Sequence, residues 1–374
     1  MYKKIICIFL IPMILTTGCW DSKDINEKAI TISVGINSVN NLIQFTGEIV
    51  KLTKTSQETQ TRYNTPGIYN VYAYGKTFEE VRRKLESMNP FDVFQGACRI
   101  VMFSASYGKL GIEPYLNRID SLYDYRKTVL LVITREPPEE LFNVKTDKAI
   151  AIGFLVDNLL SQLKEKGKSI CPNVGELLSD IAFGSLGYVM PYIGKEFGDI
   201  KYLGLAVLKN SKLIDIIDIT DTKPILYILA KDPTLIELIS NPIDAENKYS
   251  FRISIDKRKI STAYKNDTVI INIDLNLDAE LRYQYHIQKI TNDMIKYLEK
   301  EISSKISNDI FNMIRKAQKE FECDIFSFGR YFKAYHYKQF RKMNWEDAFL
   351  TAKINVNVNT KIVNKNLKSF EEKE

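Results

Sequence analysis

Histidine is almost absent from this sequence, which has two in 374 residues, His286 and His336. Five cysteines are present, but no two of them form a CxxC pair. HExxH, EF-hand, GxGxxG and Walker-type phosphate motifs are absent as well. These absences argue against a metal centre, a dinucleotide enzyme and a nucleotide hydrolase. We therefore expect no catalytic residues, no metal and no cofactor.

A strong charge of one sign is also missing. The chain has 52 basic and 46 acidic residues, a formal net charge of +6. Proteins that bind nucleic acid have a stronger and more clustered basic excess, so no nucleic-acid partner is expected. The small excess is compatible with loose attraction to anionic lipid headgroups. With 45% hydrophobic residues, the composition is that of a folded protein of two or three domains.

The isolated reactive side chains are interpreted as structural. Three cysteines far apart in sequence do not form a disulfide framework and are expected to be buried: Cys98, Cys171 and Cys323. Each histidine is expected to lie on the surface or to pack against neighbours. An acidic cluster around Pro137-Pro138 is interpreted as a solvated linker; its members are Glu136, Glu139 and Glu140.

A continuous apolar run lies near the amino terminus. Lys3 and Lys4 precede the apolar segment from Ile5 to Leu15, which is shorter than the roughly 20 residues that a transmembrane helix needs. We interpret residues 1–18 as a signal peptide. Cleavage by an ordinary signal peptidase is one alternative. The Gly-Cys junction favours a lipobox with lipid attachment at Cys19, although Thr16 stands where lipoboxes usually have leucine.

The pattern after the leader predicts an α/β domain over residues 19–200, with a subdomain break near 137–150. Alternation predicts a hairpin from Ala29 to Leu52, followed by a mobile loop at 53–69. Two apolar strands, 98–104 and 128–134, flank an amphipathic helix, which predicts a parallel crossover unit. Helices are predicted at 77–88, 112–125, 146–166 and 173–183. Residues 184–198 are interpreted as an irregular junction.

A second α/β domain is predicted over residues 201–374. It should open with a hairpin, with strands at 203–208 and 213–219, and continue with strands at 249–255 and 268–277. Apolar residues at three- and four-residue steps predict a long helical stretch over 279–321, as one helix or two. Alternation predicts a last strand at 352–363. The fold class expected is therefore α/β (α+β mixed), with mixed β-sheets flanked by helices in more than one domain.

Aromatic and basic residues interleave from Asp324 to Phe332, with Trp345 further on. A nucleic-acid surface, a partner-docking patch and core packing would each produce this pattern. Export of the protein conflicts with the first interpretation, and we favour core packing over docking.

Four short motifs carry a resemblance to a known family. They are Gly18-Cys19-Trp20-Asp21 with Asp24-Ile25-Asn26, Gly75–Phe78 with Arg83–Leu85, Tyr202–Val207 with Lys212-Leu213, and Asp324–Arg330 with Trp345. In this order they resemble the spore germinant-receptor C-subunit lipoproteins, the Ger(x)C family, over nearly the whole mature chain. The resemblance implies several mixed α/β domains, three by most divisions. It carries over no catalytic residue, and only Cys19 transfers as the lipid-bearing site.

The resemblance also implies a function. The protein would be a non-catalytic subunit of a spore germinant (nutrient) receptor that triggers germination of a sporulating Gram-positive bacterium. It would be exported and anchored by palmitate-type acyl chains on the outer face of the spore inner membrane. Its partners would be the bilayer and the integral-membrane A and B receptor subunits. The alternative is a solute-binding lipoprotein that itself captures a small nutrient in a cleft between domains.

Overall fold

The computed structural model describes residues 28–51, 67–122, 125–184, 186–242, 244, 246–288 and 290–364. Within them, thirteen strands form two mixed sheets that are flanked by helices. The strands are β1 Lys28–Val39, β2 Leu42–Lys51, β3 Gly67–Gly75, β4 Asp92–Phe94, β5 Ile100–Ser104, β6 Leu130–Thr134, β7 Tyr188–Glu196, β8 Asp199–Lys209, β9 Lys212–Asp218, β10 Thr234–Ser240, β11 Lys248–Lys265, β12 Thr268–Gln284 and β13 Lys353–Asn364. The predicted fold class, mixed α/β, is confirmed.

Eleven α-helices are described in the same ranges. They are α1 Phe78–Met88, α2 Ala105–Leu110, α3 Glu113–Ser121, α4 Pro138–Phe142, α5 Ile152–Glu165, α6 Val174–Phe183, α7 Lys223–Leu229, α8 Asn292–Lys316, α9 Phe328–Tyr335, α10 Tyr337–Phe340 and α11 Trp345–Thr351. A short 3₁₀ turn at Ile219–Asp221 precedes α7, and a π-helical turn at Ala317–Phe321 ends α8.

The first sheet has the strand order β3-β2-β1-β5-β6-β7-β8-β9, and β4 also pairs with β1. The central strands β1, β5, β6 and β7 are parallel, which confirms the predicted crossover between β5 and β6. The predicted hairpin β1–β2 turns at Asn40-Asn41, where both residues have positive φ, as a two-residue type I′ turn requires. Asn210-Ser211 joins β8 to β9 in the same way.

The second sheet has the order β10-β11-β12-β13, with β13 parallel to β12. One face of this sheet is covered by α8, whose buried residues recur at helical spacing: Leu298, Ile302, Ile306, Ile310 and Ile314. The other face is polar and carries cross-strand side-chain bonds, from Asn355 to Asn272 and from Asn357 to Asp274. This alternation is typical of a sheet with one buried face.

Two predicted elements are wrong. Residues 184–198 are not an irregular junction, because 188–196 form the buried strand β7; Pro191 and Gly194 weaken its strand pattern in the sequence. The helical stretch predicted from Ala279 begins only at Asn292, because β12 continues to Gln284 with Ala279 and Leu281 still facing the core. Strand β10 and helix α7 were not predicted.

Other predicted elements stand with shorter bounds. The helix expected from residue 146 begins at Ile152, and the one expected over 112–125 spans Glu113–Ser121. Residues 53–66 of the predicted mobile loop lie outside the described residues, while 67–69 already belong to β3. The hairpin β8–β9 pairs with β7, so the first sheet continues past the domain boundary predicted at residue 201. The division into domains stays a prediction.

Candidate functional site

The predicted lipid-attachment residue, Cys19, and the signal peptide at 1–18 lie outside the described residues. Both therefore remain predictions. In the part of the chain that the structure describes, no group of three His, Cys, Asp or Glu side chains is placed to hold a metal ion. No helix in that part is long and apolar enough to cross a bilayer.

The three cysteines predicted to be structural are buried and unbridged. Desolvation raises the pKa of the Cys171 thiol to about 11 and that of Cys98 and Cys323 to about 12. Such thiols stay protonated at neutral pH, and the thiol form is a poor nucleophile. The prediction that they act as small buried hydrophobic residues is confirmed.

The histidines occupy the two environments expected for them. The ring of His336 packs against Phe332 with centroids 4.8 Å apart, and its Nε2 lies 3.0 Å from the carbonyl oxygen of Thr262. His286 is more than half exposed, with Nδ1 3.6 Å from a carboxylate oxygen of Asp244. The two residues are on separate elements and are not brought together with a nucleophile.

The acidic cluster near residue 136 is not simply a solvated linker. Glu136 accepts a hydrogen bond from the Lys195 backbone N–H at 3.1 Å and one from Arg135 at 2.8 Å. Glu139 accepts a hydrogen bond from the side-chain amide of Gln44 in β2. These contacts tie the end of β6 to β7 and β2, so the linker interpretation is wrong for these two residues. Glu140 alone is exposed as predicted.

Asp324 is the centre of the aromatic segment that stood out in the sequence. Its Oδ1 accepts a hydrogen bond from the Phe326 N–H at 3.1 Å, and its Oδ2 accepts from the Gly329 N–H at 2.8 Å and from Trp345 Nε1–H at 3.1 Å. Burial raises the pKa of Asp324 to about 6, although these hydrogen bonds oppose the shift. One carboxylate thus joins the loop before α9 to the first residue of α11.

The surrounding aromatic side chains form part of the core. Five of them are almost fully buried: Phe326, Phe328, Phe332, Trp345 and Phe349. Gly329 is required for this arrangement, because a Cβ at that position would lie 2.7 Å from Nε1 of Trp345. The core-packing interpretation is therefore confirmed for these residues, whereas Tyr331 and Tyr335 of α9 are exposed.

Glu48 is a buried carboxylate that sequence reasoning missed. Oε1 accepts from the Ile152 N–H at 2.7 Å, and Oε2 accepts from the Gly153 N–H at 2.8 Å and from Ser33 Oγ at 2.7 Å. It therefore satisfies the amino terminus of α5, whose preceding residue, Ala151, has no capping side chain. Burial raises the pKa of Glu48. An open pocket of about 320 Å³ borders it, with Asn70 and Ile150 in the lining.

Glu237 is a second buried carboxylate that was missed, on β10. Lys305 Nζ lies 2.6 Å from Oε2, Lys223 Nζ lies 3.3 Å from Oε1, and the Tyr227 hydroxyl lies 3.2 Å from Oε1. These contacts join β10 to α7 and α8. The sequence signal was alternation, since Leu235, Glu237 and Ile239 share one face of a strand that was not predicted.

The described chain enters the first sheet at Lys28, nine positions after the predicted lipid site. Lys28 Nζ bonds Asp92 Oδ2 at 2.9 Å, next to the end of α1. Exposed apolar residues lie at the end of α1 and in the loop after it: Met88 is 62% exposed and Phe91 is 40% exposed. They border an open groove of about 530 Å³ that Tyr69, Val71 and Leu85 also line.

Two protein families match the chain, one after the other. The family described as "Spore germination protein N-terminal domain" matches residues 21–195, and "Spore germination B3/ GerAC like, C-terminal" matches residues 203–366. Among relatives, spore germination protein A3 of Bacillus subtilis (strain 168) is 22% identical over 95% of this chain and 96% of its own length. Spore germination protein GerQC of Bacillus cereus is 21% identical over 95% and 97%.

The fold has a counterpart among solved structures. The crystal structure of the GerBC protein covers 88% of this chain and 97% of its own, with a TM-score of 0.55 and 15% identity. It shares the fold. Together, the two consecutive family matches extend from residue 21 to residue 366, with a gap of seven residues. The chain belongs to the family of spore germinant-receptor C subunits.

Proposed function

We propose that this protein is a lipid-anchored, non-catalytic subunit of a spore germinant receptor. Acyl chains on Cys19 hold it on the outer face of the spore inner membrane, and it acts through contacts with the integral-membrane A and B subunits. The observation that carries the proposal is the match to both germination families in chain order, after an apolar leader that ends at Gly18 and is followed by Cys19.

The buried carboxylates support a structural role for the reactive groups that the structure describes. Asp324 and Glu48 each accept three hydrogen bonds from groups that build the fold, and Glu237 is held by two lysines and a tyrosine. A general base must be able to reach a substrate proton. These carboxylates are instead engaged by backbone or packed side chains, which suits a protein that works by contact.

Anchoring gives such contacts an advantage. A lipid-held protein meets membrane partners in two dimensions, so a modest affinity is sufficient for assembly. Two or three acyl chains, at about 0.8 kcal/mol per buried methylene, hold a protein stably on a bilayer.

The test is replacement of Cys19 by alanine in sporulating cells supplied with a labelled fatty acid. The label should be lost from Cys19→Ala, and the germination response to one nutrient class should fail with it. Cys7→Ala is the matched control, because this cysteine lies in the leader that is removed; it should keep both label and response. Fatty acid on the Cys19→Ala protein would refute the anchoring.

Titration of the purified protein with small nutrients distinguishes the solute-binding alternative from this proposal. The purified ectodomain should bind no amino acid or sugar tightly. Micromolar binding, about −8 kcal/mol, would make the protein itself the nutrient sensor.

A further inference from the structure

Three strands of the first sheet begin at the same end, and the first of them, β1, follows the amino-terminal segment. β1 begins there at Lys28, β4 begins beside it at Asp92, and β3 begins at Gly67. Helix α1 runs back along β3 and ends at Met88, where the Tyr69 hydroxyl lies 3.4 Å from Asn89 Oδ1. We call this end, with Met88 and Phe91 as its exposed apolar residues, the amino-terminal rim.

Met88 and Phe91 both border the groove on the α1 face of the sheet, and both are exposed. Exposed apolar side chains that share one groove are typical of a surface that contacts a protein or a membrane.

The length of the tether between Cys19 and Lys28 indicates which end of the first sheet faces the bilayer. Nine residue steps separate Cys19 from Lys28, and a fully extended chain spans at most about 3.5 Å per residue, or about 30 Å. The opposite end of the sheet lies about 30 Å or more from Lys28, since β1 and β7 rise about 3.3 Å per residue. If that opposite end faced the bilayer, the tether would have to be fully stretched.

The opposite end carries its own exposed aromatic residue. Phe197, at the tip of the β7–β8 hairpin, is fully exposed. Exposure alone would therefore favour Phe197 as a membrane contact over Phe91. The length of the tether favours Phe91 instead. A comparison of Phe91 with Phe197 as membrane contacts therefore tests the inference.

The charges near the rim are largely compensated. Lys28 is paired with Asp92, and on α1 Arg82 bonds Glu86 at 2.7 Å while Lys84 bonds Glu80 at 2.9 Å. Paired charges offer little net attraction to anionic lipid. Insertion of Met88 and Phe91 into the interfacial region would supply the contact, and it should depend little on salt.

We propose that the amino-terminal rim rests on the bilayer, with Met88 and Phe91 inserted at the depth of the headgroups. The inference rests on the proposed lipid anchor at Cys19. It adds an orientation: the Phe197 hairpin, at the opposite end of the first sheet, points away from the lipid and is open to protein partners.

The experiment places a nitroxide label at Phe91→Cys or at the matched control Phe197→Cys in the lipidated full chain. The native Cys98, Cys171 and Cys323 are buried, so labelling should be confined to the introduced cysteine. The protein is reconstituted in protein-free vesicles of phosphatidylglycerol and phosphatidylethanolamine. Collisions with oxygen, which concentrates in lipid, are compared with collisions with a water-soluble nickel chelate.

At position 91 the ratio of oxygen to chelate collisions should exceed that at position 197 by several-fold, and Met88→Cys should agree with position 91. Flotation of the vesicles with bound protein shows that the anchor is intact. If the protein floats but the ratios at positions 91 and 197 are equal or reversed, the inference is overturned. Failure to float would overturn the anchor as well. The labels could instead be accessible to the chelate in vesicles and become shielded from it in spore membranes. That result would show that the rim contacts a protein partner, and it would refute the bilayer contact.

Discussion

Replacing Gly329 by alanine should destabilise the protein, although alanine is ordinarily the better helix former by about 1 kcal/mol. A Cβ at this position would lie 2.7, 2.9 and 3.0 Å from Nε1, Cε2 and Cδ1 of Trp345. The indole has little room to move, because its N–H bonds Asp324 and its ring packs 5.3 Å from that of Phe332. Overpacking costs about 1–3 kcal/mol, and weakening a hydrogen bond to a carboxylate adds about 1–2.

The net loss expected is about 1–4 kcal/mol, after allowance for the gain of about 1 kcal/mol in helix propensity. Urea unfolding of the chain without its leader, followed by far-UV circular dichroism, measures it. Gly175→Ala is the matched control, since Gly175 is also the second residue of a helix but its Cβ would meet only ordinary contacts of 3.4–3.6 Å. That variant should be neutral or slightly more stable.

A double-mutant cycle tests the cause of the loss. Phenylalanine at position 345 lacks the five-membered ring that the new methyl group would meet. Gly329→Ala should therefore cost at least about 1 kcal/mol less in the Trp345→Phe background than in the wild type. An equal cost in both backgrounds, or a Gly329→Ala protein as stable as Gly175→Ala, would refute the steric reasoning.

Two further predictions concern the buried carboxylates. Burial raises the pKa of Asp324 to about 6, which is above the pKa of an aspartate in the unfolded chain. The contribution of Asp324 to the free energy of unfolding is therefore greatest below about pH 4 and is lost as the pH rises through 6. The stability difference between wild type and Asp324→Asn should shrink by about 2–3 kcal/mol from pH 4 to pH 7 in urea titrations; a constant difference would contradict this. Lys305→Met removes the closer of two ammonium groups from buried Glu237 and should cost about 2–3 kcal/mol, whereas the exposed pair with Asp120 that is lost in Lys127→Met should cost under about 1. Equal melting temperatures for the two lysine variants would show that Glu237 does not need its partner.

Local sequence patterns predicted the elements whose structure is determined mainly by residues within the element. Alternation of Ile30, Ile32, Val34 and Ile36 identified β1 because its side chains fall in period two. Asn173 and Glu176 form the full capping box at the start of α6. Thr77 and Glu80 have the spacing of a capping box at the start of α1, but only half of it forms: Thr77 Oγ1 accepts from the Glu80 N–H, while the Glu80 carboxylate accepts from the N–H of Lys76 and not of Thr77. Cap geometry at that point depends on the incoming chain as well as on spacing.

Elements that depend on distant partners were harder to predict. The segment after Ala279 contains good helix formers, yet it continues β12 because Ala279 and Leu281 pair with β11 and face the core. The pairing of β7 with both β6 and β8 is likewise set by strands from elsewhere in the chain. Propensity gives way to tertiary contacts in such segments.

The candidate sites likewise differ in whether the sequence around them contains a local signal. The segment around Asp324 stood out through its composition, and core packing was the favoured interpretation. Glu48 gave no such signal, because the amide groups it binds belong to α5, about a hundred positions later. A buried acid whose partners are distant backbone groups leaves no short motif in the sequence. Folded coordinates are needed to find it.

The parallel pairing of β12 with β13 bears on how the gene tolerates change. The last strand of the second sheet comes from the last residues that the structure describes, after four helices have intervened. A stop codon or frameshift shortly before residue 353 would remove Ile354, Val356 and Val358, which pack against the main core, and would leave one edge of β12 without its neighbour. Late truncations should therefore behave as null alleles.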